Sequence, residues 1–192
     1  ASEEDAEGED AESEVDEALA DEVFTEEELG IFDQDVWVIM RSETFGEFYL
    51  RQHLATQLDE ATVDTAATGW GGDEYVFFYN GRQDQHAWIL RIAWDTAADM
   101  DEFIAAYDTF ASSRQGNEGE TQANGATCWD GEDGAFCTFT DTALLSAPPQ
   151  PSRGQPRDAN PHEMVISFAP TLEDAVGMID LQLAGAEETE EE

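Results

Sequence analysis

Hydrophobic and polar positions alternate along this chain in short bursts that change period several times, and the changes outline its elements. Asp35-Val36-Trp37-Val38-Ile39-Met40-Arg41 is β-branched and aromatic and predicts a strand. It runs into Thr44-Phe45-Gly46-Glu47, which has the spacing of a capping box. There the Thr44 hydroxyl would accept from the N3 amide and Glu47 would reach back to the N-cap amide. Leu50, Leu54 and Leu58 follow at helical spacing, predicting a helix to about Leu58. A short second helix is expected from Asp59 or Glu60, with Gly69 as its stop.

The period then shortens to two. Tyr75 to Asn80 and Trp88 to Trp94 read as a central hairpin, one face carrying Trp88, Leu90, Ile92 and Trp94. Asn80-Gly81 marks the turn, and polar Arg82 to Gln85 lengthen it. Thr96-Ala97-Ala98-Asp99 repeats the capping spelling ahead of an apolar stripe at Met100, Phe103, Ile104, Tyr107 and Phe110. Ser112 to Thr127 is polar and reads as a surface loop. Cys128 to Thr140 reads as a hairpin, and Met164 to Phe168 as a last strand. Thr171-Leu172-Glu173-Asp174 opens a final helix with Leu172, Val176, Ile179 and Leu183 on its apolar side. Strands and capped helices in this order predict an α+β domain. Its sheet is mostly antiparallel, with the helices packed largely on one face.

The ends are different in kind. Residues 1–30 contain fifteen acids and no base, and residues 187–192 contain five acids, so the expected organisation is an acidic leader or linker over 1–30, one domain over 31–186 and an acidic tail over 187–192. Val23 to Leu29 is the one part of the leader with helical character. Residues 141–161 carry five of the six prolines together with Arg153 and Arg157, a long loop expected to be functional or mobile and a candidate partner contact. The absence of an initiator Met leads to the expectation of a mature or excised portion. An upstream domain or a lipid anchor would suit the leader as a spacer.

Charge sharpens the picture. Lys+Arg number 7 against 46 Asp+Glu, a formal net charge of -39, and every basic residue is Arg. With both acidic ends removed, 26 acids still face seven Arg, so the acidity belongs to the folded surface as well. Adaptation to high salt explains an evenly acidic, lysine-free chain best, because screening removes the self-repulsion that opposes folding. Solvated spacers at the ends, or an acidic mimic or assembly protein binding a basic partner, are the other readings. Nucleic acid is excluded as a direct partner, since nothing here can neutralise a run of phosphates. No stretch reaches membrane-spanning length, so direct membrane insertion of this portion is not expected, and no signal-peptide pattern is present.

Candidate chemistry is sparse. Cys128 and Cys137 flank a Gly-containing turn at a spacing that brings two strand ends within disulfide range, which points to an oxidising, extracytoplasmic compartment. His162-Glu163 begins like a zinc-protease motif, but Ile166 stands where the second His belongs, and no metal site is expected. His53 and His86 read as surface or half-buried residues. No nucleophile elbow, P-loop or nucleotide motif is present, so no cofactor is expected. Gly69-Trp70-Gly71-Gly72-Asp73 reads first as a tight corner needing positive φ, with Trp70 as a plug, and second as the lip of a pocket. A pocket there would be built from Trp70, Asp73, Glu47 and Trp94. On that second reading Glu47 and Asp73 would serve a carboxylate-dependent hydrolase between aromatic walls; on the first, Glu47 is a helix cap. Asp130, Glu132 and Asp133 lack the spacing of a calcium loop and read as solvated hairpin residues.

Thr44-Phe45-Gly46-Glu47-Phe48, Gly69-Trp70-Gly71-Gly72-Asp73 and Trp94-Asp95-Thr96 with Ala98-Asp99 and Phe103 occur in an order and spacing that resembles a known unit. It is the C-terminal unit of secreted or lipid-anchored proteins from haloarchaea, Chloroflexi and related bacteria, where it follows a zinc-metallopeptidase-like domain. The likeness spans about residues 35–110. Glu74 stands where those relatives usually have Arg, and the metallopeptidase part is not in this sequence. The resemblance implies a surface or extracytoplasmic location and a non-catalytic accessory role toward an unspecified protein or surface component.

Overall fold

In the computed structural model, residues 37–140 and 162–184 are described. The elements are β1 (Val38–Glu43), α1 (Gly46–Leu54), α2 (Glu60–Ala67), β2 (Trp70–Asn80), β3 (Gln85–Trp94) and α3 (Ala97–Gln115). They are followed by β4 (Glu120–Thr121), β5 (Thr127–Gly131), β6 (Gly134–Phe139), β7 (Glu163–Ala169) and α4 (Leu172–Ala184). The strands form one sheet in the order β1-β2-β3-β7-β6-β5-β4, and every neighbouring pair is antiparallel. This is the expected α+β architecture. The leader and tail, the helical stretch Val23 to Leu29, and Arg153 and Arg157 lie outside the described residues.

Alternation along the strands sorts the core into two layers. Leu90, Ile92, Trp94, Trp129, Phe136, Met164 and Ile166 face α1, α2 and α3, meeting Leu50, Leu54, Val63, Phe103, Tyr107 and Phe110. Val76, Ile89, Cys128, Cys137, Val165 and Ala169 point the other way and meet Ala175, Met178 and Ile179 of α4. Three helices therefore cover one face and the fourth covers the other. A sheet buried on both sides explains why β6 and β7 are apolar almost throughout.

Four boundaries differ from the sequence reading. The glycine corner is itself strand: β2 starts at Trp70, paired with Trp94, and an irregularity at Gly71 absorbs the bend. The first helix ends at Leu54, and the chain turns through Ala55 to Leu58 before α2. α3 continues to Gln115 and closes on Gly116 at φ 73, past the polarity change at Ser112, because Phe110 and Ala111 are buried against the sheet. The segment read as a loop also contributes the two-residue edge strand β4.

Candidate functional site

The three Thr-x-x-acid sequences do not all cap their helices. At α3 the Asp99 amide donates to Thr96 Oγ1 at 3.2 Å, and that hydroxyl donates to Asp99 Oδ2 at 2.6 Å. Thr171 and Asp174 repeat the exchange at 3.1 and 2.6 Å. α2 is capped by Asp59, which accepts from the Thr62 amide at 3.1 Å. At α1 the expected capping box does not form. Phe45 takes the N-cap position with helical angles and no side-chain cap, and Glu47 pairs with Arg51 one turn on, at 2.9 Å.

What closes α1 is Asp73, from β2. Its carboxylate accepts from the Phe45 amide at 2.6 Å, the Gly46 amide at 2.8 Å and the Trp70 indole Nε1 at 2.9 Å. Phe45 is right-handed, φ -68 and ψ -48, and Gly46 is left-handed, φ 82. Consecutive residues of opposite hand turn successive N–H groups toward one point, a concave anion cradle. A Cβ at Gly46 would meet nothing within 4 Å, so glycine is needed for its φ and not for room. The cradle holds the protein's own carboxylate, which is only 8% exposed. Three donors satisfy a buried anion that would otherwise cost several kcal/mol.

Gly69 does need room. It sits at φ 76, and a Cβ there would collide with the Asp99 side chain at the head of α3, while its carbonyl accepts from the Asp95 amide at 2.8 Å. The corner thus joins the end of α2, the start of β2 and the start of α3. The structural reading of Gly69-Trp70-Gly71-Gly72 is the one the geometry carries.

The four pocket candidates separate. Trp70 and Asp73 are bonded to each other, Trp70 half-buried. Trp94 is fully buried, its ring 4.6 Å from Phe103, and belongs to the core. Glu47 is turned out beside Arg51, its side chain 45% exposed. A cavity does exist beside them, of about 80 Å³, lined by Phe45, Leu50, His53, Tyr75, Trp88, Leu90 and Ile166. It shares only Phe45 with the Asp73 cradle, and its walls carry no carboxylate. Neither Phe45, Tyr75 nor Trp88 stood out in the sequence as a site residue. The available signal was Gly46, a poor residue inside a helix's first turn unless φ must be positive.

His53 lies on α1 among aromatic rings, 4.4 Å from Phe110 and 6.0 Å from Trp88 between centroids. Its Nε2 is buried and has no hydrogen-bond partner among the described residues. Burial, reinforced by the positive charge of Arg114, lowers its pKa to about 4, so the imidazole is neutral near pH 7. Burial, then the negative charge of Glu43, pushes the Tyr75 phenol up to about 12 against the opposing pull of Arg41. The cavity is therefore an uncharged aromatic recess. His86 is exposed and stacked between Phe77 and Phe168. Of the apparent zinc-protease start, Glu163 is held by Arg91 at 2.7 Å on the α4 side of the sheet. Glu74 lies opposite that same Arg91 in register.

Cys128 and Cys137 face each other across β5 and β6 and are joined as a disulfide. Among the described residues, no helix is long and apolar enough to cross a membrane. No curated protein and no solved structure matches the chain. A family model does, over residues 34–174, a span that takes in the cradle, the cavity and the disulfide hairpin. The chain belongs to the family of that model, a domain of unknown function designated DUF8575.

Proposed function

We propose that this chain is a non-catalytic accessory or binding domain that works outside the cytoplasm, secreted or at the cell surface, with a strongly acidic surface adapted to high salt. The observation that carries the first half is the commitment of Asp73 to three protein donors. General acid–base or nucleophilic work needs a carboxylate free to meet substrate. Of the two candidates, Asp73 locks α1 to β2 and Glu47 is tied to Arg51, while the neighbouring cavity is lined by apolar and aromatic side chains and a neutral imidazole. Such a recess suits binding, not bond cleavage.

The compartment rests on the Cys128–Cys137 bond, which persists where thiols are not kept reduced. Salt adaptation rests on the charge of -39 borne without a single Lys. A tagged copy in intact cells tests the location. Shaving by external protease, with no thiol titratable in the recovered native protein, is the expected result. A protease-protected copy with two titratable thiols would overturn it. Thermal unfolding supplies the salt test: the transition should rise strongly from low to molar KCl, and a salt-indifferent transition would refute the adaptation.

A further inference from the structure

Four large apolar side chains are well exposed among the described residues: Val38 at 56%, Met40 at 59%, Phe48 at 66% and Tyr49 at 60%. All four fall within twelve residues of sequence, on β1 and the outer side of α1. The same stretch is electrically balanced. Residues 38–51 hold Arg41, Glu43, Glu47 and Arg51, two charges of each sign, in a chain carrying -39. These charges are paired locally, Arg41 with Glu43 at 3.1 Å and Arg51 with Glu47 and Asp64 at 2.9 and 2.6 Å. Exposed apolar surface clustered on a neutral island is what an interface looks like before it is covered.

β1 is also an edge of the sheet, and the two edges are not equivalent. β4, at the far side, has two residues and little ladder to offer. β1 has six, and among the described residues its only bonded neighbour is β2. The extra residue at Met40 bends its first half, but Arg41, Ser42 and Glu43 continue in regular register. Among the described residues no strand pairs with their outer side, and neither Pro nor Lys blocks that edge.

We propose that this edge pairs with the same edge of a second copy of the chain, about a two-fold axis near Ser42. A two-fold perpendicular to the strands sets them antiparallel, continuing the pattern of the whole sheet. With the axis at Ser42, Arg41 of each copy stands opposite Glu43 of the other. The two local ion pairs become two cross-strand pairs, a favourable arrangement on a sheet surface. Val38 and Met40 stand exposed on the same strand, and Phe48 and Tyr49 on the helix that follows it. A cationic partner is the less suitable occupant, because the island has no net charge to attract it. Acidic surface elsewhere repels at low salt, so pairing strengthens as salt screens it.

The pairing is independent of the compartment reading and fails separately from it. Sedimentation of the full chain at increasing protein concentration tests it, in low salt and in molar KCl. The expected result is a monomer at low salt and a dimer in molar salt, with the amides of β1 slower to exchange in the dimer. Met40→Asp and Phe48→Asp, both at exposed positions, should weaken the dimer at least roughly tenfold without lowering the unfolding temperature. Arg41→Glu should also break it, and the double reversal Arg41→Glu with Glu43→Arg should restore it. A monomer at both salts, a dimer indifferent to Met40→Asp and Phe48→Asp, or a double reversal that does not recover pairing would each overturn the proposal.

Discussion

Thr44-Phe45-Gly46-Glu47 and Thr96-Ala97-Ala98-Asp99 spell the start of a helix in nearly the same way, and the molecule closes the two helices by different chemistry. α3 caps itself: Thr96 and Asp99 exchange two hydrogen bonds within four residues. α1 is capped from 27 residues away, by Asp73 of the neighbouring strand. The distinction lies in one residue. Ala98 allows the regular right-handed turn in which a capping box closes, whereas Gly46 sits at φ 82 and turns its amide toward β2. A self-capped helix carries its boundary in its own sequence. A helix capped in trans exists only once the sheet beneath it is built.

Four variants test this difference between the two helices. Asp73→Ala carries the largest expected effect. It leaves two backbone amides and an indole N–H without their acceptor, at a cost of about 3 kcal/mol. The loss should appear as faster hydrogen exchange at the start of α1, with α3 unchanged. Loss confined to α3, or none, would remove Asp73 from its role.

Acid should come next, because His53 ties α1 to Phe110 and Tyr107 of α3. Its folded pKa of about 4 lies below the ordinary 6.5, so the unfolded chain binds more protons between those values. The contribution is complete above pH 6.5 and is lost as the pH falls toward 4, by up to about 3 kcal/mol. Denaturant unfolding of wild type and His53→Phe across that window checks it. The variant should lack this component of the slope, and parallel pH profiles would refute the assignment.

Thr96→Ala should destabilise by about 1 kcal/mol, the usual worth of a side-chain N-cap. Thr44→Ala should sit near zero, within about 0.5 kcal/mol, as for an exposed residue with no cap to lose. Equal losses in the two variants, read from chemical denaturation, would restore the capping box at Thr44 and erase the comparison.

Much of the molecule was legible from local pattern. The period-two stretches at Tyr75 to Asn80, Trp88 to Trp94 and Met164 to Phe168 all lie within strands, and the Thr96 and Thr171 boundaries hold. Cys128 and Cys137 face each other because a strand, a short turn and a strand bring nine residues of separation back to one register position. The misread parts depend on partners distant in sequence. Trp70 is strand because Trp94 pairs with it, and Trp94 is core because Phe103 covers it.

The candidate site shows the same division. From the sequence alone follow the formal net charge of -39 borne without a Lys, the lack of a complete HExxH, nucleophile-elbow or P-loop spelling, and the glycine-rich corner at Gly69 to Asp73. Side-chain types and near-neighbour spacing decide such things, and they do not change on folding. Folding decided that Asp73 caps α1, that Trp94 is buried while Trp70 holds Asp73, and that the open recess is bounded by Phe45, His53, Tyr75 and Trp88. The use of a carboxylate or a ring depends on which donors and walls surround it. For Asp73 one donor, the Trp70 indole, is local, but the Phe45 and Gly46 amides come from the start of α1, 28 and 27 residues away, and no local pattern records that meeting.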